Sequence, residues 1–191
     1  MGISPPDRFG LHVAQTRGIM RRYAVVNGFD GALTMLGLLT GFRLGGEVPL
    51  GTVIAACLGA AIALGVSGLT SAYLSESAER RRALAKLEAA MVADLRGSTH
   101  ERAAQLLPWM IALVNGAAPV FVSLLIIVPL LLAESGVALP LAPLISAIVV
   151  AFLCIFGLGV FLGKVAGTSW LWSGFKTLLV ALATMLLILL L

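Results

Sequence analysis

The chain has 191 residues, 60% of them hydrophobic and 12% charged, with a mean hydropathy of +1.05 and a formal charge of +4. Soluble domains carry about a quarter of their residues as charges. The composition therefore excludes an ordinary soluble domain and reads as an all-α integral membrane protein with a single domain. The modest net charge gives no reason to expect nucleic acid as a partner.

Residues 1–20 contain no continuous apolar core, so no cleavable signal is expected, and the first span acts as its own insertion signal. Pro5 and Pro6 are expected to break any early helix there. The segment reads as a tail or as an interfacial helix, with Phe9, Val13, Ile19 and Met20 available for one side. Residues 21–191 read as one transmembrane domain.

Uncharged runs mark the spans. Between Arg22 and Arg43 the only charge is Asp30; the later runs place spans at about 50–74, 106–132, 140–163 and 168–191. A helix needs about 20 residues to cross ~30 Å of hydrocarbon. The last run is interrupted by Lys176, which must lie within its span or snorkel from it. Cys57 and Cys154 fall inside spans and read as small apolar residues, not as a disulfide. Five transmembrane helices result. Arg8, Arg17, Arg21 and Arg22 precede the first, and Arg80, Arg81, Arg82, Lys86, Arg96 and Arg102 separate the second from the third. The positive-inside rule places both regions in the cytoplasm and the C-terminus outside, in a multi-pass protein of the cell membrane.

The second span does not stop at the bilayer. Its helical pattern runs on to Leu95 without Gly or Pro, and Gly97 is a plausible stop. Ser98-Thr99-His100-Glu101 reads as a capping box opening the next helix. The second span is thus extended into a cytoplasmic helical hairpin, an insertion at about 76–105. Pro108, Pro119, Pro129 and Pro143 fall within the third and fourth spans, where a proline leaves a carbonyl for a neighbour to satisfy.

The chemistry centres on Asp30. A carboxylate in hydrocarbon costs at least ~2.5 kcal/mol even on lenient insertion scales, so it is functional by default. Asn27 lies three residues before it and Thr34 four after, which stacks all three on one helix face. A carboxylate with neutral oxygens suits a hard divalent cation. The alternative is an Asp30–Lys176 pair that locks two helices; a lysine released by a cation or proton would also serve as a counter-charge in coupling. Ser67, Thr70, Ser71, Tyr73 and Ser75 make the inner end of the second span rich in hydroxyls, which either line a path or hold helices together. Asn115 is a further candidate ligand in the third span. Glu76 and Glu79, with Glu88, Met91, Asp94, His100 and Glu101, could gather metal at the mouth or simply face solvent among basic residues. No enzyme signature is present: there is no HExxH, Cys/His cluster, P-loop or Gly-x-Ser-x-Gly.

Taken together, Asp30-Gly31 in the first span, Ala72-Tyr73-Leu74-Ser75-Glu76 in the second, Gly116-Ala117-Ala118-Pro119 in the third, and Phe161-Leu-Gly-Lys-Val-Ala-Gly with Trp172-Ser-Gly-Phe-Lys176 near the end resemble the vacuolar iron transporter family over nearly the whole chain. The resemblance implies a five-helix homodimer with a path near its axis. It also implies export of ferrous iron or manganese from the cytosol in exchange for protons, with Asp30 as a ligand of the transported metal and no resident cofactor. Gly68 and Ala72 stand where the family commonly has Met and Glu, and the cytoplasmic insertion is shorter and more basic than the family's. Two other readings stay open: a non-transporting membrane scaffold, and the same fold carrying a different solute.

Overall fold

The computed structural model describes residues 5–92 and 94–190, with side chains from Arg17 onward. The described residues form five helices: α1 (Pro5–Leu44), α2 (Leu50–Met91), α3 (Thr99–Glu134), α4 (Pro143–Val165) and α5 (Trp170–Leu189). All five are long and apolar enough to cross a membrane, as a multi-pass membrane protein requires. At ~1.5 Å per residue, α4 with 23 residues and α5 with 20 match the hydrocarbon thickness. α1, α2 and α3, with 40, 42 and 36 residues, overrun it by several turns.

Three expectations are corrected. The backbone is helical from Pro5 without a break into the first span. Pro5 and Pro6 do not prevent a helix because they occupy its first turn, where no intrahelical N–H donor is needed. Residues 1–4 lie outside the described residues. Second, Pro143 is not interior to a span but opens α4, for the same reason. Third, α2 ends at Met91 and not near Gly97. Val92 follows at φ 48°, and the chain reverses through local side-chain bonds. The Leu95 N–H donates to a Glu88 carboxylate oxygen at 3.2 Å, and the Arg96 N–H to Asp94 Oδ1 at 2.9 Å. The Glu101 N–H donates to Ser98 Oγ at 3.3 Å, which is the Ser98 half of the expected capping box; the Glu101 carboxylate accepts from the Gly97 N–H and not from the Ser98 N–H.

The ends of α3 and α4 follow from glycine. At the end of α3 the Val137 and Gly136 N–H groups donate back to Leu132 and Ala133; at the end of α4 Thr168 and Gly167 do the same to Gly163 and Lys164. Gly136 (φ 87°) and Gly167 (φ 66°) take the left-handed conformation that this double bond requires.

The chain divides into two compact units, one made of the chain up to Ala24 with Gly65–Ala117, the other of Val25–Leu64 with the chain from Ala118 on. In the first, Ala72, Ala103, Leu107, Ile111 and Ala112 are buried. Gly116 passes so close to α2 that a Cβ there would lie 2.6 Å from the Gly65 carbonyl oxygen. In the second, Met35, Leu36 and Leu39 of α1 pack with Val53 and Cys57 of α2, Ile126, Ile127 and Leu130 of α3, and Ala147, Ala151 and Ile155 of α4. Lipid tails are as apolar as these side chains, so close packing and hydrogen bonds carry the association in a membrane. Gly159 and Gly163 of α4 accordingly receive Thr177, Ser173 and the Trp170 backbone of α5. The Thr177 hydroxyl reaches across to the Ile155 carbonyl at 3.2 Å.

Candidate functional site

Asp30 is exposed on α1, part of the second unit. Its neighbour Gly31 is fully enclosed: a Cβ there would lie 2.7 Å from the carbonyl oxygen of Pro119 and 2.9 Å from its Cα. α1 therefore sits backbone to backbone on α3 at Gly31. This contact turns Asp30, the preceding residue, away from the packed side. Asn27 and Thr34, which share its face by helical register, are half-buried. Val26, one turn before Asp30, is 52% exposed, and two to three turns beyond Asp30 the residues Gly37, Leu38, Gly41 and Phe42 line a shallow groove.

A second uncovered strip lies on α2 in the same unit. Ala55, Gly59 and Ala63 recur every four residues, all are exposed, and nothing comes within 4 Å of a Cβ built at Gly59. Small residues at this spacing allow a helix to approach closely.

Lys176 is exposed on α5 and does not pair with Asp30 within the chain. Its ammonium lies 5.8 Å from the ring centroid of Trp172, one turn earlier. Among the described residues no ion pair joins Lys176 to a carboxylate. The lock considered from the sequence is therefore not formed among the described residues of one copy, where the Lys176 ammonium lies over the neighbouring indole.

The remaining sequence candidates belong to the first unit. Asn115 is buried, and its side-chain amide donates to the Gly68 carbonyl at 2.6 Å. At Gly68 a Cβ would lie 3.1 Å from the Asn115 carbonyl oxygen and 3.3 Å from its amide nitrogen. Asn115 is thus committed to holding α3 on α2. Glu76 is half-buried, accepts from the Tyr23 hydroxyl at 3.5 Å and faces Arg80 at 3.9 Å. Glu79 is exposed. Ser67, Thr70, Ser71 and Ser75 are all exposed, and the Ser71 hydroxyl donates back to the Gly68 carbonyl at 3.3 Å. Among the described residues no three of His, Cys, Asp and Glu converge as a metal site would require.

Sequence reasoning, which offers Gly31 and Gly59 only as glycines that permit close helix contact, missed that Gly31 orients Asp30 and that Ala55, Gly59 and Ala63 form one exposed strip. The four-residue spacing of small residues was the available signal for the strip.

Among the described residues the geometry defines five helices of membrane-spanning dimensions, with the Asp30 carboxylate exposed midway along α1. No family model matches the chain. It is 32% identical over 169 residues to a protein of Methanocaldococcus jannaschii described as uncharacterized protein MJ0645, an alignment covering 87% of this chain and 85% of that one. The chain belongs to the family of that archaeal protein. No solved structure matches it.

Proposed function

We propose that the chain is a multi-pass protein of the cell membrane that exports a divalent cation from the cytosol, ferrous iron or manganese, in exchange for protons. The observation that carries this reading is the exposure of Asp30 on a helix with the length and hydropathy of a span. A carboxylate left against lipid costs at least ~2.5 kcal/mol. The face it occupies must therefore meet either an aqueous path or another protein surface. A homodimer supplies both, with Asp30, Asn27 and Thr34 of each copy facing a shared path. The open Ala55/Gly59/Ala63 strip of the same unit supports close packing of a second copy. Two Asp30 carboxylates with neutral oxygens from Asn27 and Thr34 make a hard-ligand set. Protons compete with metal for the same carboxylates, which provides exchange. Basic residues on the N-terminal side and in the α2–α3 hairpin favour a cytoplasmic N-terminus and an outer C-terminus.

The competing scaffold reading drew on an Asp30–Lys176 lock, and Lys176 faces Trp172 instead. The test is flux into sealed proteoliposomes reported by a metal-sensitive dye and a pH dye, with ferrous iron, manganese, zinc and a neutral solute offered in turn. Ferrous iron or manganese is expected to move with an opposing proton flux, and Asp30→Asn to abolish both at unchanged thermal stability. Equal flux through Asp30→Asn and the parent would remove the proposed role of Asp30, and movement of the neutral solute alone would point to another cargo.

A further inference from the structure

The first unit holds a cavity of about 340 Å³ between α2 and α3 that metal export does not use. Tyr73, Ser77 and Arg81 line it from α2, and Glu101, Gln105 and Trp109 from α3. The Tyr73 and Trp109 rings lie 4.3 Å apart, at the level where the apolar run of α2 gives way to charge. Tyr and Trp favour that level because each ring has an apolar body and a polar edge. Further along the cavity, Arg81 is exposed and has no carboxylate within ion-pairing distance among the described residues. Glu101, the acid that shares the cavity, is committed elsewhere. One of its oxygens accepts from the Gly97 N–H at 2.5 Å and the other from the Gln105 amide at 3.3 Å.

Side chains on a helix lean toward its N-terminus. On α2 that direction is the apolar stretch, so Arg81 reaches back toward it from about 12 Å beyond Tyr73 at ~1.5 Å per residue. Arg82 and Lys86 add positive charge nearby. A second cavity, of about 180 Å³, shares the Leu84 and Ala104 walls and brings in Arg80 and His100. The larger cavity has the volume of a small-ligand site. Its chemistry is graded, with an aromatic platform at the apolar end and a guanidinium at the other.

We propose that this groove holds the headgroup of an anionic phospholipid, with the phosphate taken by Arg81 and the glycerol region resting on Tyr73 and Trp109. Clusters of basic residues just beyond a span attract anionic headgroups. The aromatic pair selects a lipid over free phosphate, which has no apolar part to place there. The proposal rests on the reading of α2 and α3 as membrane spans and is independent of the transported cargo.

The test uses the full chain in phosphatidylcholine vesicles containing a minor fraction of brominated lipid, which quenches tryptophan on contact. Trp170→Phe with Trp172→Phe leaves Trp109 as the reporter. Brominated phosphatidylglycerol is expected to quench Trp109 at about fivefold lower lipid fraction than brominated phosphatidylcholine. Arg81→Gln should remove that preference, Arg81→Lys should keep most of it, and Lys86→Gln should leave it in place. Equal quenching by the two lipids, or an equal loss for Lys86→Gln and Arg81→Gln, overturns the site in favour of a diffuse basic surface. Relief of quenching by inorganic phosphate overturns the lipid assignment in favour of a soluble anion. A second variant with only Trp172 remaining reports insertion by itself. If brominated phosphatidylcholine fails to quench Trp172, the membrane reading falls and the groove assignment falls with it. Quenching of Trp172 without an anionic preference at Trp109 sinks the groove alone.

Discussion

The side-chain amide of Asn115 donates to the Gly68 carbonyl at 2.6 Å, and the absence of a side chain on Gly68 makes the approach possible. A residue that the sequence presents as a candidate ligand is thereby tied into helix packing. Gly68→Met is expected to displace Asn115 and to lower stability by about 1–3 kcal/mol, the usual penalty for overfilling a packed interface. Asn115→Leu should cost about 1 kcal/mol, since interhelical hydrogen bonds are worth that little in a membrane setting. Thermal unfolding in detergent measures both. If Gly68→Met is neutral, the helices have room that the structure does not show.

Gly31 makes a sharper case. Its neighbour across the interface is the Pro119 backbone, which cannot rotate away as a side chain can. Gly31→Ala is expected to destabilise the protein by about 1–3 kcal/mol and to disturb Asp30, which that contact orients. Gly59→Ala, with nothing within 4 Å, should be neutral or slightly stabilising by up to about 1 kcal/mol in a single copy, because alanine is the better helix former. The two melting temperatures, recorded side by side, check the contrast.

Gly59→Leu separates packing within a copy from packing between copies. It is expected to leave helix content intact and to shift the homodimer proposed above toward monomer, because a bulky side chain would block close approach along the Ala55/Gly59/Ala63 strip. Light scattering of the purified protein in detergent gives the mass. An unchanged dimer would place the second copy on another face.

Lys176 and Asp30 are expected to behave independently. A double-mutant cycle of Asp30→Asn and Lys176→Gln on thermal stability should give a coupling below about 0.5 kcal/mol, the value for residues without a shared contact. In flux assays Lys176→Gln should retain most activity while Asp30→Asn does not. Strong coupling would revive an ion pair, either within the chain or between copies.

Val92 is 92% exposed and holds a φ of 48°, a left-handed conformation that branched side chains resist. Val92→Gly is expected to stabilise the α2–α3 turn by about 1 kcal/mol, because glycine adopts this geometry without the Cβ clash. A rise in melting temperature without a change in helix content would confirm it.

Much of this architecture was legible before folding. The uncharged runs determined five helices of spanning length, and the charge gap between Glu47 and Glu76 placed the apolar part of α2. Ser98 and Glu101 announced the start of α3, because capping depends on residues only three apart. Asp30 stood out for the same kind of reason: the cost of a carboxylate in an apolar run is a local fact. What the sequence could not determine was direction. Whether Asp30 faces a neighbouring helix or open space depends on which side of α1 meets α3, and that is decided by the Gly31–Pro119 backbone contact. Likewise, that the Asn115 side-chain amide meets the Gly68 carbonyl, 47 residues away in the chain, follows from no local pattern. Helix formation and membrane length are set by neighbours along the chain. Which polar group faces a path, and which is consumed in holding helices together, depends on pairings between distant residues that only the tertiary structure makes.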